Sequence, residues 1–94
     1  MIQTFDFLYR VWESEELLGR ILGNLEKLAG DGEEVMDIGV YSLVFDFGDR
    51  VVRIGCNDPG YVFYCKIPRV EISFEGLAHM IRREWDEVEG YTVI

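Results

Sequence analysis

The chain has 94 residues, the size of one small domain, with no room for a second hydrophobic core. Hydrophobic residues make up 49% of it and aromatic residues 14%, which is enough for a packed interior and excludes a disordered chain. With 18 acidic and 9 basic residues, the formal net charge is −9. Binding to nucleic-acid phosphates or to an anionic membrane surface needs the opposite sign, so we expect a protein partner with a basic surface.

The sequence also lacks the signals of a membrane or exported protein. Its longest apolar run, from Ile38 to Phe45, is far shorter than a bilayer span and is interrupted by Gly39 and Ser42. At the N-terminus no basic region precedes an apolar stretch, and Asp6 falls where a signal peptide would be apolar. We therefore expect a cytoplasmic protein.

The first dozen residues fit two patterns. Alternate apolar residues favour a strand: Phe5, Phe7, Tyr9 and Val11. A second set has helical spacing: Phe5, Leu8, Tyr9 and Trp12. If the following helix extended backward through them, this second set would lie opposite its leucine stripe. A single straight helix is therefore disfavoured, and we predict a strand that joins the sheet in parallel through a right-handed crossover.

Residues 15–29 predict the first amphipathic helix. Its apolar residues form one stripe: Leu17, Leu18, Ile21, Leu22, Leu25 and Leu28. Ser14 is a suitable N-cap, and Gly30 ends the helix.

The middle of the chain predicts a three-stranded antiparallel meander. A type II′ turn at Gly48-Asp49 would place Phe45 opposite Val52 and Leu43 opposite Ile54. A second turn at residues 57–60 would lead into a third strand at 61–66. One face of this sheet is then apolar: Tyr41, Leu43, Phe45, Val52, Ile54, Cys56, Tyr61, Phe63 and Cys65.

A second amphipathic helix is predicted from Phe74 to Val88, with Ser73 as its N-cap and Trp85 facing inward. The tail from Tyr91 to Ile94 has the composition of a short edge strand. The sequence therefore predicts one α+β domain over residues 1–94. Its antiparallel three-stranded meander, extended by the N-terminal strand, packs against two amphipathic helices.

No set of residues has the pattern of a catalytic or cofactor site. The single histidine, His79, is expected on the exposed side of the second helix without an orienting partner. Cys56 and Cys65 are expected to be buried and out of register for a disulfide bond. The acidic run at residues 31–34 lacks the alternating ligands of a calcium loop. We predict a non-enzymatic protein that needs no metal or cofactor.

Four carboxylates crowd the predicted end of the second helix: Glu84, Asp86, Glu87 and Glu89. Negative charge there opposes the helix dipole and so reduces stability. Residues that break a local rule without structural gain are often functional. This cluster is our leading candidate for contact with a basic partner.

The leading hypothesis is a small acidic binding protein that occludes a basic surface of a protein partner. Inhibitors, immunity proteins and phage anti-defence proteins such as anti-CRISPRs share this character, but the sequence shares no motif with them, so the comparison is an analogy. Carboxylates would then act as a nucleic-acid mimic or pair with Arg and Lys. The alternative is a structural or regulatory subunit that forms a homodimer through its sheet face or an edge strand, with Val44, Arg53 and Tyr64 as anchors.

Overall fold

The computed structural model of the chain describes residues 4–27, 30–57, 67–88 and 90–93. Its helices and strands follow in this order: α1 (Phe7–Glu13), α2 (Glu15–Leu25), β1 (Glu33–Ile38), β2 (Tyr41–Asp46), β3 (Val51–Cys56), β4 (Val70–Ser73), α3 (Phe74–Ile81), a short 3-10 helix (Trp85–Glu87) and β5 (Thr92–Val93). The strands form one antiparallel sheet in the order β1-β2-β3-β4-β5. The predicted α+β class and the antiparallel sheet are confirmed.

The hairpin of β2 and β3 has the predicted register. Phe45 lies opposite Val52 and Leu43 opposite Ile54. The predicted type II′ turn is wrong, because Gly48 does not have the positive φ that this turn requires. Strand β2 instead ends at Asp46 and β3 begins at Val51. The carboxylate of Asp46 accepts a hydrogen bond of 3.0 Å from the backbone N–H of Asp49. The left-handed residue of the loop is Arg50, with a φ of 55°.

Strand β1 has no counterpart in the sequence prediction. It pairs with β2 along its full length, with Met36 opposite Leu43 and Ile38 opposite Tyr41. A two-residue turn, Gly39-Val40, joins the two strands, and Gly39 has a φ of 60°. A glycine-led tight turn therefore exists in this sheet, but one hairpin earlier in the chain than predicted.

On the other side of β3 lies β4, with Val52 opposite Ile72 and Ile54 opposite Val70. Among the described strands, β5 is the last in the sheet, and it provides the predicted edge strand in the C-terminal tail. The predicted third strand at 61–66 lies outside the described residues.

The predicted N-terminal strand is wrong, because residues 7–13 form helix α1. Ser14 has extended backbone angles (φ −128°, ψ 110°) and separates α1 from α2, while its hydroxyl accepts a hydrogen bond from the N–H of Leu17. As expected, residues 7–25 do not form one straight helix, but they form two helices and not a strand followed by a helix. Because the axis changes direction at Ser14, each helix turns its own apolar side to the core.

Helix α3 is shorter than predicted. It begins after Ser73, whose hydroxyl accepts the N–H of Gly76 at 3.0 Å, as expected for its N-cap. It ends at Ile81, and two residues later Arg83 has a left-handed conformation with a φ of 61°. The N–H groups of Arg83 and Glu84 turn back to the carbonyl groups of Met80 and His79. These are the two hydrogen bonds of a Schellman motif, which stops a helix.

The core lies between the apolar face of the sheet and the three helices. The sheet contributes side chains from all but its last strand, and the helices contribute buried residues led by Phe7, Val11, Ile21, Phe74 and Leu77. Two ring pairs join the layers, Phe7 with Tyr41 and Phe45 with Phe74. Within the described ranges, the helices are too short or too polar to cross a lipid bilayer.

Because α1 is a helix with one buried side, its positions should differ sharply in their effect on stability. Phe7 is fully buried, and Phe7→Ala should lower the free energy of unfolding by about 3 to 5 kcal/mol. Tyr9 is 66% exposed, and Tyr9→Ala should cost about 1 kcal/mol or less, since it loses mainly one ring contact. Urea denaturation measures both values. Equal losses would contradict the placement of α1.

Candidate functional site

The predicted acidic cluster lies beyond α3. Because the helix ends at Ile81, Asp86 and Glu87 lie beyond its last turn, in a three-residue 3-10 helix. The predicted conflict with the dipole of one long helix is therefore wrong for these two residues. Glu84, Asp86 and Glu87 are nevertheless all exposed, and together they form what we call the acidic segment. Glu89 lies outside the described residues.

Within the acidic segment, Trp85 is 53% exposed and does not face inward as predicted. Its ring makes an edge-to-face contact with Trp12 of α1, with centroids 6.2 Å apart. Trp12 makes a second such contact with Tyr9, at 5.6 Å. Tyr9, Trp12 and Trp85 form what we call the aromatic patch. Aromatic residues are enriched in protein interfaces relative to the rest of the surface.

Trp12 is held in place from two sides. Its indole N–H donates a hydrogen bond of 2.9 Å to the carbonyl oxygen of Ile81, across 69 positions of sequence. The guanidinium of Arg83 lies over its ring, 4.4 Å from the centroid. Arg83 reaches this position from its left-handed backbone conformation, which is uncommon for a residue other than glycine. The centre of the aromatic patch is thus preorganised by the end of α3.

Trp85 of the aromatic patch lies between Glu84 and Asp86 of the acidic segment, so an apolar side chain stands directly between two carboxylates in sequence. Sequence reasoning missed this arrangement, because it placed Trp85 in the core and Tyr9 on a strand. The available signal was the helical spacing of Tyr9 and Trp12. Nothing in the local sequence links that pair to Trp85, because the contact depends on where α3 ends.

Arg53, one of the anchors predicted for self-association, lies on the face of the sheet that points away from the helices. Three carboxylates from three other strands surround its guanidinium: Asp46 at 3.0 Å, Glu71 at 3.2 Å and Glu33 at 3.3 Å. Val44 lies directly opposite it on β2. Arg53 is therefore engaged within its own sheet, in surroundings that carry more negative than positive charge. Tyr64, its predicted companion, lies outside the described residues.

The electrostatics of this cluster centre on Asp46. The backbone N–H of Asp49 and then the guanidinium of Arg53 hold the pKa of the Asp46 carboxyl below its ordinary value of 3.8. In turn, the hydrogen bond with Asp46 raises the pKa of Arg53. The carboxylate thus ties the β2–β3 turn to the charged centre of the outer sheet face.

The side chains with catalytic or ligand chemistry are more dispersed. His79 is half-buried instead of exposed, and its Nδ1 lies 3.8 Å from the Oε1 of Glu84, outside hydrogen-bond distance. Cys56 is partly buried on the core face of β3, and Cys65 lies outside the described residues. Among the residues described, no three His, Cys, Asp or Glu side chains converge as metal ligands.

Comparison with known proteins adds no relative: no family model, curated protein or solved structure matches the chain. Any functional assignment therefore depends on the chain's own surfaces.

The lowered pKa of Asp46 predicts how stability should depend on pH. A carboxyl whose pKa is lower in the folded state stabilises the protein above its ordinary pKa, and this contribution is lost as the pH falls through the folded-state value. Asp46→Asn should therefore lower the melting temperature at pH 7, and the difference from the unsubstituted protein should shrink as the pH falls below about 4. Thermal denaturation between pH 2.5 and 7 measures this. Asp31→Asn, on an exposed loop carboxylate, is the control. A difference independent of pH would contradict the assignment.

Proposed function

We propose that this chain is a small, acidic, non-enzymatic binding protein that occludes a basic surface of a protein partner. The observation that carries the proposal is the position of Trp85, half-exposed between Glu84 and Asp86 and braced by Trp12. Tryptophan is one of the residues enriched among the energetic hot spots of protein interfaces. Carboxylates around such an anchor select a partner rich in Arg and Lys.

The two parts of this surface would contribute differently to binding. Burial of Trp85 and Tyr9 would provide most of the affinity, because their exposed apolar area leaves water on contact. The acidic segment, in a chain of net charge −9, would accelerate association with a basic surface and orient the encounter. Since Trp12 and Arg83 already hold the patch in place, little conformational entropy would be lost on binding.

Inhibitors, immunity proteins and anti-defence proteins of the anti-CRISPR kind are the classes in which such a surface is the whole activity. In that setting the carboxylates of the acidic segment would occupy positions that phosphates take on the partner. This narrower proposal is supported by the charge and the size of the chain, which these classes share.

Self-association through the sheet is the second candidate. Val35, 59% exposed, lies beside Val44 on the outer face of the sheet, and such a pair would be buried in a homodimer. The carboxylates of the same face weigh against it: Glu33, Asp37, Asp46 and Glu71 outnumber Arg53 and Arg69, whose side chain lies over Gly55. Two copies of this face would repel each other.

The test compares variants that change the acidic segment or its anchor. Glu84→Gln, Asp86→Asn and Glu87→Gln together should leave the fold intact and slow association with the partner, with a weaker dependence on ionic strength. Trp85→Ala should weaken binding by about 2 kcal/mol or more, chiefly through faster dissociation. Affinity capture from host cells with mass spectrometry identifies the partner, and surface plasmon resonance with that purified partner measures both rates.

A matched control separates local from global charge. The control variant also removes three negative charges, but from exposed positions elsewhere: Glu16→Gln, Asp31→Asn and Asp49→Asn. This control should keep most of the association rate of the unsubstituted protein. Equal slowing in both triple variants, or unchanged binding of Trp85→Ala, would contradict the proposed surface.

A further inference from the structure

Strand β1 presents a long, regular edge. All six of its residues pair with β2 in consecutive register, so it contains no bulge, and it contains no proline. On its other side no described strand pairs with it, since it is the first strand of the sheet order. Native proteins usually protect such an edge with lysine, proline, a bulge or a covering segment. β1 has acidic side chains in place of lysine or proline.

The hydrogen-bond pattern shows which backbone groups face outward. The N–H of Phe47 bonds to the carbonyl of Gly32, which sets the alternation along β1. Because bonded and non-bonded pairs alternate in an antiparallel ladder, the residues that bond to β2 are Glu34, Met36 and Ile38. The N–H and carbonyl groups of Glu33, Val35 and Asp37 therefore point away from the sheet. The bond from the N–H of Asn57 to the carbonyl of Val40 gives the same alternation on β2.

The side chains of these same three residues project from the outer face of the sheet. Val35 is 59% exposed and stands between two carboxylates. One carboxylate oxygen of Glu33 forms a salt bridge of 3.3 Å with Arg53, and the side chain of Glu33 is 55% exposed. Asp37 is exposed at the other end of the strand. Among the described strands, the outward edge of β1 thus has the pattern acidic, apolar, acidic at alternate positions.

This pattern disfavours a second copy in the register that places Val35 opposite Val35. In the symmetric antiparallel register centred on Val35, Glu33 would lie opposite Asp37 of the other copy, twice. Like charges directly opposite each other in a ladder are destabilising. A strand with Lys or Arg at those two positions would instead form two favourable cross-strand pairs.

We propose that β1 binds an extended basic segment of a protein partner as a sixth strand of the sheet. Backbone hydrogen bonds to Glu33, Val35 and Asp37 hold the segment, and its Lys or Arg residues lie opposite the two carboxylates with an apolar residue opposite Val35. This goes beyond the function proposed above, because it concerns a different surface and a different mode of recognition.

The probe is the peptide acetyl-TKTVTKT-amide, which places lysine, valine and lysine at alternate positions. On titration, the backbone amides of Val35 and Asp37 should become protected from hydrogen exchange in NMR spectra. The peptide TETVTET, with glutamate in place of lysine, should bind about tenfold more weakly or not at all. Methylation of the backbone nitrogen of the peptide's central valine should also weaken binding about tenfold, because it removes a ladder hydrogen bond but no charge.

On the protein, Val35→Pro removes an outward N–H that β2 does not use, which an edge strand tolerates. It should weaken peptide binding about tenfold, whereas Val35→Thr should retain most of it. Trp85→Ala lies on the other proposed surface and should bind the peptide normally, so the two proposals can fail separately. Peptide binding without protection of Val35 and Asp37, or unaffected by N-methylation, would overturn the inference. A concentration-dependent dimer in analytical ultracentrifugation that Val35→Pro abolishes would assign the edge to a second copy and overturn it equally.

Discussion

The apolar face of the sheet has to be covered, and this constraint decides the course of the described helices. A sheet with one apolar face is stable only when another layer buries that face. Helix α2 alone is too short to cover the side chains of four strands, so α1 and α3 complete the layer. The break at Ser14 and the left-handed residue Arg83 are the two points where the chain changes direction to do so.

The candidate surface is a consequence of these two points. The change of direction at Ser14 brings the end of α1 to the end of α3, where the indole of Trp12 finds the carbonyl of Ile81. The Schellman motif then places Arg83 over that indole and carries Trp85 to its edge. An exposed aromatic patch thus forms where two helices end, with the acidic segment directly attached to it.

Two groups of carboxylates lie on the outer sheet face and beyond α3. Arg53 offsets part of their negative charge by binding carboxylates from three strands, which links β1, β2 and β4 through their side chains. What remains is two acidic surfaces, one with an aromatic anchor and one beside the edge of β1, which no described strand covers. Both favour basic partners, but the first favours a folded surface and the second an extended segment.

Local sequence was sufficient where neighbouring residues decide the structure. The register of β2 and β3 was predicted from the position of the turn at Gly48-Asp49, although the type II′ geometry of that turn was wrong. The N-caps Ser14 and Ser73 follow from hydroxyl groups ahead of apolar periodicity. The acidic character of Glu84, Asp86 and Glu87 could likewise be read directly. The helical form of α1, the end of α3 and the pairing of β1 depend on packing between distant segments, which propensity and periodicity do not record. The tertiary structure alone brought Trp85 to Trp12 and left the edge of β1 without a described neighbour, because both result from how the chain covers one apolar sheet face.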